Sequence, residues 1–251
     1  MMKPAFQTEY GKLYQGYCSD LFELIPDNSI DLIIADTPYG VTQNKNDKKL
    51  DLGLMWDNIK RVRKDNTPIL LFAQGKYFAE LVYSNIREYR YDLIWDKVLV
   101  SGFLNANRMP LRGHEQIAVF YKRLPVYNPQ FSTGKPLHSK GRSYKSKQPI
   151  NNNYGKFKQT DDKRAGSVLK YPKSILTFQK PHPSVALHRT EKPVELLEYL
   201  IKTYSNVGDT VLDFTSGSGP TLKAAENLKR KWIGFELQEN EIQTTIKRFQ
   251  Q

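Results

Sequence analysis

Two short loops of the chain bring chemically capable residue types together. In the first, Asp36, Thr37, Pro38 and Tyr39 follow directly on the apolar run DLIIA and precede Gly40. They provide a carboxylate, the carbonyl of a residue that the following proline holds extended, and a flat π-face. Such a set suits a nucleobase amine, with two acceptors for its two N–H bonds and a ring on which the base can stack. An ordinary turn would use the same residues, and the second loop, a glycine turn between strand and helix, is also weak evidence alone. There the run TVLDF leads into Thr215, Ser216, Gly217, Ser218, Gly219 and Pro220, and a helical stretch begins at about Thr221. Glycines let backbone pass close to a ligand, and a helix start presents free N–H groups. Glu236 closes the next apolar run, KWIGFE, at a distance that suits ribose hydroxyls. No Lys-Ser or Lys-Thr pair follows the glycines, which excludes a phosphate loop. Leu222 stands where the dinucleotide fingerprint needs its third glycine. What remains is a nucleoside without a pyrophosphate.

The elements that must position these loops alternate. Runs at 31–35, 68–73, 91–95, 116–121, 210–214 and 231–235 have the length and β-branched content of strands. Leu52, Met55, Ile59 and Val62 recur at helical spacing, as do Leu196, Leu197, Leu200, Ile201 and Tyr204. The sum is an α/β fold, a mostly parallel sheet flanked by helices. The 251 residues, 39% apolar and 12% aromatic, are ample for a buried core and too aromatic for a disordered chain. The single cysteine, Cys18, excludes an intramolecular disulfide and any multi-cysteine metal site. Four scattered histidines suggest no metal either, so none is expected. No run approaches the ~18 apolar residues of a spanning helix, and the expectation is a cytoplasmic protein without a membrane partner.

The net charge of +12 is concentrated in one place. Between Lys122 and Lys180 stand 11 lysines and 3 arginines against only Asp161 and Asp162, so this segment carries the whole excess. It is rich in Pro, Gly, Ser and Asn, is interleaved with aromatics, and lacks sustained periodicity. It reads as an irregular basic insert over residues 123–187, between two parts of one α/β domain at 1–122 and 188–251. Lys135, Lys140, Arg142, Lys145, Lys147, Lys156 and Lys158 are its candidate phosphate contacts to nucleic acid.

With these residues in view, the sequence resembles the β class of S-adenosylmethionine-dependent DNA amino-methyltransferases. DTPY is similar to their Asp-Pro-Pro-Tyr motif, VLDFTSGSGPT to their cofactor motif, and HRTEKPVELLEYLI to the segment that usually precedes the latter. The order also fits: catalytic motif, target-recognition insert, cofactor motif. Further similarity runs through IPDNSIDLII and through residues 94–122, covering most of the chain outside the insert.

The resemblance implies a Rossmann-like methyltransferase sheet, S-adenosylmethionine as cofactor, and double-stranded DNA as partner; dimers are common in the family, which leaves a homodimer open. It implies that Asp36 and the Thr37 carbonyl hold the target amine, with Pro38 stiffening the loop and Tyr39 stacking on a flipped-out base. To the cofactor it assigns Phe214, Gly217 and Gly219 through backbone, Glu236 through the ribose, and Thr190 and Lys192 at the methionine end. Lys192 would meet the methionine carboxylate. Asp36, Asp213, Ser218 and Thr221 are further candidates beside the cofactor, with a structural role the alternative for Asp213. Cys18 has no nucleophilic part. The acidic Asp36 favours N6 of adenine, with N4 of cytosine as the alternative. The sequence departs from the family at Thr37, where a proline is usual, and at Tyr17, where an acid is common. Threonine keeps the carbonyl, so Thr37→Pro is expected to preserve activity; a DNA-binding relative with weakened chemistry is the rival that Thr37 raises.

Overall fold

The computed structural model describes residues 2–40, 49–136, 166–181, 187 and 191–250. The strands are Phe6–Gln7 (β1), Gly11–Gln15 (β2), Leu32–Ala35 (β3), Ile69–Ala73 (β4), Tyr89–Ser101 (β5), Arg112–Phe120 (β6), Ser132–Thr133 (β7), Leu169–Lys170 (β8), Ile175–Thr177 (β9), Thr210–Asp213 (β10) and Lys231–Glu236 (β11). The helices are Cys18–Leu21 (α1), Leu52–Val62 (α2), Gly75–Ser84 (α3), Val194–Tyr204 (α4), Pro220–Asn227 (α5) and Glu239–Gln250 (α6).

Nine strands form one sheet in the order β1-β2-β11-β10-β3-β4-β6-β5-β9. From β2 to β4 every neighbour is parallel. The β4–β6 and β6–β5 pairs are antiparallel, and β9 rejoins parallel to β5. The mostly parallel sheet is therefore borne out, with an antiparallel extension where β5 turns directly back into β6 instead of crossing over through a helix.

Side-chain alternation explains the two layers. Along β3, Leu32 and Ile34 join one core cluster while Ile33 and Ala35 join the other, and β4 divides in the same way between Leu70 with Phe72 and Ile69 with Leu71. α4 and α5 cover the first face, α2 and α3 the second. Sequence position alone would separate β3 from β10 by 175 residues, yet Val211 pairs with Leu32 and Leu212 with Ile33. On one side of that pair the chain proceeds from β10 to β11, and on the other from β3 to β4. The order reverses between β10 and β3, and crevices for ligands form at the carboxyl ends of such strands. Both loops singled out from the sequence begin there.

The chain divides into a large unit, 1–128 with 174–251, and a small one, 129–173. The insert expected over 123–187 is thus too long at its C-terminal side, because Ile175–Thr177 pairs with Ile94–Asp96 as part of the main sheet. In the small unit, Ser132 and Thr133 pair antiparallel with Lys170 and Leu169, and Phe131 packs on Tyr171 at 5.0 Å. Of the seven proposed phosphate contacts, Lys135 is exposed. Lys140, Arg142, Lys145, Lys147, Lys156 and Lys158 lie outside the described residues.

Candidate active site

β3 carries Leu32–Ala35 through the buried core and delivers Asp36 to its carboxyl edge, where the side chain is half-buried. Both carboxylate oxygens are held. Tyr39 donates its hydroxyl to Oδ1 at 2.8 Å, and the Lys192 ammonium lies 2.5 Å from Oδ2. Lys192 enters from just before α4 and is nearly fully buried, 5.1 Å over the Phe72 ring and 3.3 Å from Oε2 of Glu115. Glu115, on β6, takes Lys97 of β5 on its other oxygen at 3.2 Å. The result is an alternating row, Asp36, Lys192, Glu115, Lys97, crossing the carboxyl end of the sheet. Burial alone would discharge Lys192, but Asp36 and Glu115 outweigh it and hold its pKa above the usual lysine value. Burial likewise pushes Glu115 upward, and its two lysines bring it below the usual carboxylate value. All four groups have opposite-charge neighbours, which is the condition for charges to persist at such depth.

Thr37 and Tyr39 are braced on a helix that the sequence did not reveal. The Thr37 hydroxyl is 2.7 Å from that of Tyr77 on α3, in a buried contact. Tyr39 stacks on the Tyr77 ring with centroids 5.1 Å apart and planes 24° from parallel. Burial, then the Asp36 and Glu115 carboxylates, raises the Tyr39 phenol well above its usual pKa, so it remains a donor. The Thr37 hydroxyl thus adds a side-chain contact to the carbonyl role that the resemblance implies, one that Thr37→Pro would remove.

The glycine loop follows β10. Gly217 and Gly219 adopt φ of 52° and 74°, the left-handed region. A Cβ on Gly219 would also stand 2.5 Å from Thr245 of α6, so this glycine is required by packing as well. Ser218 is buried, with its hydroxyl 3.3 Å from Glu191, and both its carbonyl, at 2.8 Å, and its hydroxyl, at 3.2 Å, accept from Arg248, which anchors the loop to α6. Glu236 accepts from the Gly217 amide and the Gln238 amide, both at 2.8 Å. Burial raises its pKa. Asp213 is buried beneath the loop, accepts from the Thr215 amide at 3.1 Å, and is pushed by burial up to about 7, with Asp36 and Glu236 adding to the rise.

One cavity of about 1070 Å³ takes in both loops. Asp36, Tyr39, Lys192, Asp213, Phe214, Gly217, Thr221 and Glu236 all line it. That is at or above the upper end of ordinary small-molecule sites, roughly 300–1,000 Å³, and leaves room for a nucleoside-sized cofactor with a base beside it. Its donor set fits S-adenosylmethionine. Three carboxylates, Asp36, Asp213 and Glu236, suit the sulfonium and ammonium charges. The amides at the start of α5 and the spare lone pairs of Glu236 suit the methionine carboxylate and the ribose. Tyr17, at the rim, is largely exposed, and Cys18 beside it has a thiol raised by burial. The carboxylate reading of Lys192 meets a different geometry, in which its ammonium lies between Asp36 and Glu115. Thr190 lies outside the described residues. Glu115, Lys97 and Tyr77 escaped sequence reasoning; a lone acid on a strand that ends IAVF was the available signal for Glu115. Among the described residues no group of His, Cys, Asp or Glu is arranged to hold a metal, and no helix is long and apolar enough to cross a membrane.

This fold, with a charged loop and a glycine loop meeting at one switch point, is that of a Rossmann-like methyltransferase. The N6_N4_Mtase family model, described as DNA methylase, matches residues 30–247, and the chain belongs to that family. It is 30% identical over 261 residues to type II methyltransferase M.BamHI of Bacillus amyloliquefaciens, matching 96% of this chain and 58% of that protein. It is 26% identical to type II methyltransferase M.BglII of Bacillus subtilis, over 92% of this chain and 66% of that one. The chain thus spans less than two thirds of the length of either relative. Among solved structures, PvuII DNA methyltransferase (cytosine-N4-specific) superposes with a TM-score of 0.71 at 19% identity, covering 99% of this chain and 89% of that one. An M1.HpyAVI–SAM complex superposes at 0.63 with 20% identity, covering 96% and 100%.

Proposed function

We infer that the chain transfers a methyl group from S-adenosylmethionine to the exocyclic N6 of an adenine flipped out of double-stranded DNA, as the modifying partner of a restriction–modification pair. The observation that carries the reading is Asp36, which stands at the switch point with each oxygen held by one partner, in the same cavity as Glu236 and the glycine loop.

When bound, S-adenosylmethionine supplies an already electrophilic methyl group. The protein's work is therefore alignment. A carboxylate has about four lone-pair sites, and Tyr39 and Lys192 use one each on Asp36, leaving capacity for an amine N–H. The Thr37 carbonyl takes the second N–H, so the nitrogen lone pair is directed at the methyl group. Tyr39, already stacked on Tyr77, offers a preformed π-stack for the extruded base. Lys192 positions Asp36, and Glu115 with Lys97 positions Lys192. Phe214, Gly217 and Thr221 line the cofactor side, Gly219 shapes the loop behind them, Glu236 takes the ribose and Asp213 sits near the cation. Lys135 and the other basic residues of the insert bind phosphate.

Adenine is favoured over cytosine because Asp36 opens the motif. PvuII methyltransferase is named for cytosine N4, but its likeness to this chain is one of fold. The test uses purified protein, labelled S-adenosylmethionine and unmodified duplex DNA. Label should enter DNA with the wild type and not with Asp36→Ala, which should still bind cofactor and remain folded. Transfer by Asp36→Ala at near wild-type rate overturns the site.

A further inference from the structure

The hairpin between β5 and β6 has a surface that the molecule's own packing does not use. All fifteen residues from Val98 to Arg112 are exposed. Among them Phe103 is 79% and Leu104 90% exposed, with Val100 and Met109 more than half exposed. A soluble chain seldom gathers that many large apolar side chains in the open. The tip is also ordered by its own backbone. Asn105 N donates to Gly102 O at 2.8 Å, Ala106 N to Phe103 O at 3.0 Å, and the amides of Arg108 and Met109 both donate to Asn105 O at 2.8 and 3.0 Å. Val98, where the hairpin leaves the sheet, has φ of 63°, a conformation that costs a β-branched residue free energy. The chain accepts strain to carry Phe103 and Leu104 away from the core.

Two observations identify what meets them. The root of the hairpin belongs to the active cavity, since Leu99, Val100, Ser101 and Arg112 share its wall with Asp36 and Tyr39. From Lys97 to His114 there is no acidic residue, and Arg108 and Arg112 follow the apolar tip on the returning arm. A second copy of this chain would set these arginines against like charge, whereas a phosphate backbone complements them. We propose that the hairpin is a wedge: Phe103 and Leu104 enter the base stack where the target nucleotide leaves it, while Arg108 and Arg112 hold the adjoining phosphates. The proposal rests on the reading above, that the chain acts on duplex DNA. Unstacking is the costly part of extrusion, and apolar side chains inserted at a base step offset it.

Phe103→Trp tests the wedge directly. The chain's three tryptophans, Trp56, Trp95 and Trp232, are each no more than 2% exposed, so acrylamide quenching in this variant reports residue 103. DNA binding is followed in parallel by sedimentation. On binding unmodified duplex DNA, the accessible fluorescence should fall several-fold, and without DNA it should not change with protein concentration. Unchanged quenching on bound DNA overturns the wedge. Protection by protein concentration alone also overturns it, making the tip a contact between copies. Absence of DNA binding would instead defeat the functional reading, and the wedge with it. In a second arm, Phe103→Ala with Leu104→Ala should lower methyl transfer into duplex DNA by roughly tenfold or more, with cofactor affinity and melting temperature held. Transfer within about twofold of wild type overturns the proposal.

Discussion

Asp213→Asn exchanges a buried carboxyl for a neutral group of nearly the same shape, and its effect can be worked from the site. In the folded chain burial raises this carboxyl from 3.8 to about 7, with Asp36 and Glu236 contributing. The folded state therefore holds a proton that the unfolded state has released between those two values. Stability attributable to Asp213 is highest at low pH, falls as pH rises through that window, and is flat above about 7. A rise of about 3 units at ~1.36 kcal/mol each is a cost of about 4 kcal/mol at pH 8 relative to pH 4. The variant carries no such cost, and its side-chain carbonyl can still accept from the Thr215 amide. The assay is urea unfolding of both proteins at several pH values, taking the difference between them so that other titrating groups cancel. The variant should gain on the wild type by about 2–4 kcal/mol as pH rises from about 5 to 8. A constant difference across that range refutes the reasoning. The same linkage touches function. A cationic cofactor in the place proposed for it beside Asp213 would favour the ionised form, so cofactor affinity of the wild type should rise as pH passes upward through about 7, and that of the variant should be flat.

Glu115→Gln removes one of the two anions around Lys192 while keeping volume; duplex methylation should fall about tenfold or more with cofactor affinity little changed, measured by initial rates and titration calorimetry. Thr37→Val deletes the hydroxyl beside Tyr77 and should cost about 1–3 kcal/mol in thermal unfolding, with a lower kcat because the loop loses one of its ties to α3; an unchanged melting temperature would remove the hydroxyl from the account. Neutralising Lys145, Lys147, Lys156 and Lys158 to Gln should weaken DNA affinity and flatten its dependence on salt without altering cofactor affinity, and an unchanged salt slope would exclude these charges from the DNA interface.

Where a signal is local, the sequence carries it. β3 and β10 read as strands because they are short runs rich in apolar and β-branched residues, and α2 and α4 because their apolar residues keep helical spacing. The two loops were legible for the same reason, each following such a run. α6 keeps the same spacing in Ile242, Ile246 and Phe249, but the rest of ENEIQTTIKRFQ is polar and the stripe is too thin to stand out. β9 has three residues inside a segment whose composition speaks only of an irregular insert. The row from Asp36 to Lys97 is the clearest case. Its Asp36–Lys192 contact joins residues 156 apart, and it arises only because the sheet lays β3, β4, β6 and β5 side by side in front of α4. Sequence spacing says which groups exist; strand order decides that Lys192 meets two carboxylates. The same holds for Thr37, a departure from a motif until Tyr77 is beside it.

The central claim is that Asp36 and its loop present the exocyclic nitrogen of adenine to a methyl donor. Unmodified DNA incubated with the purified protein and S-adenosylmethionine, digested to nucleosides and analysed by mass spectrometry, tests that most directly. The account predicts N6-methyladenine as the only modified base, absent with Asp36→Ala. N4-methylcytosine as the main product would contradict it.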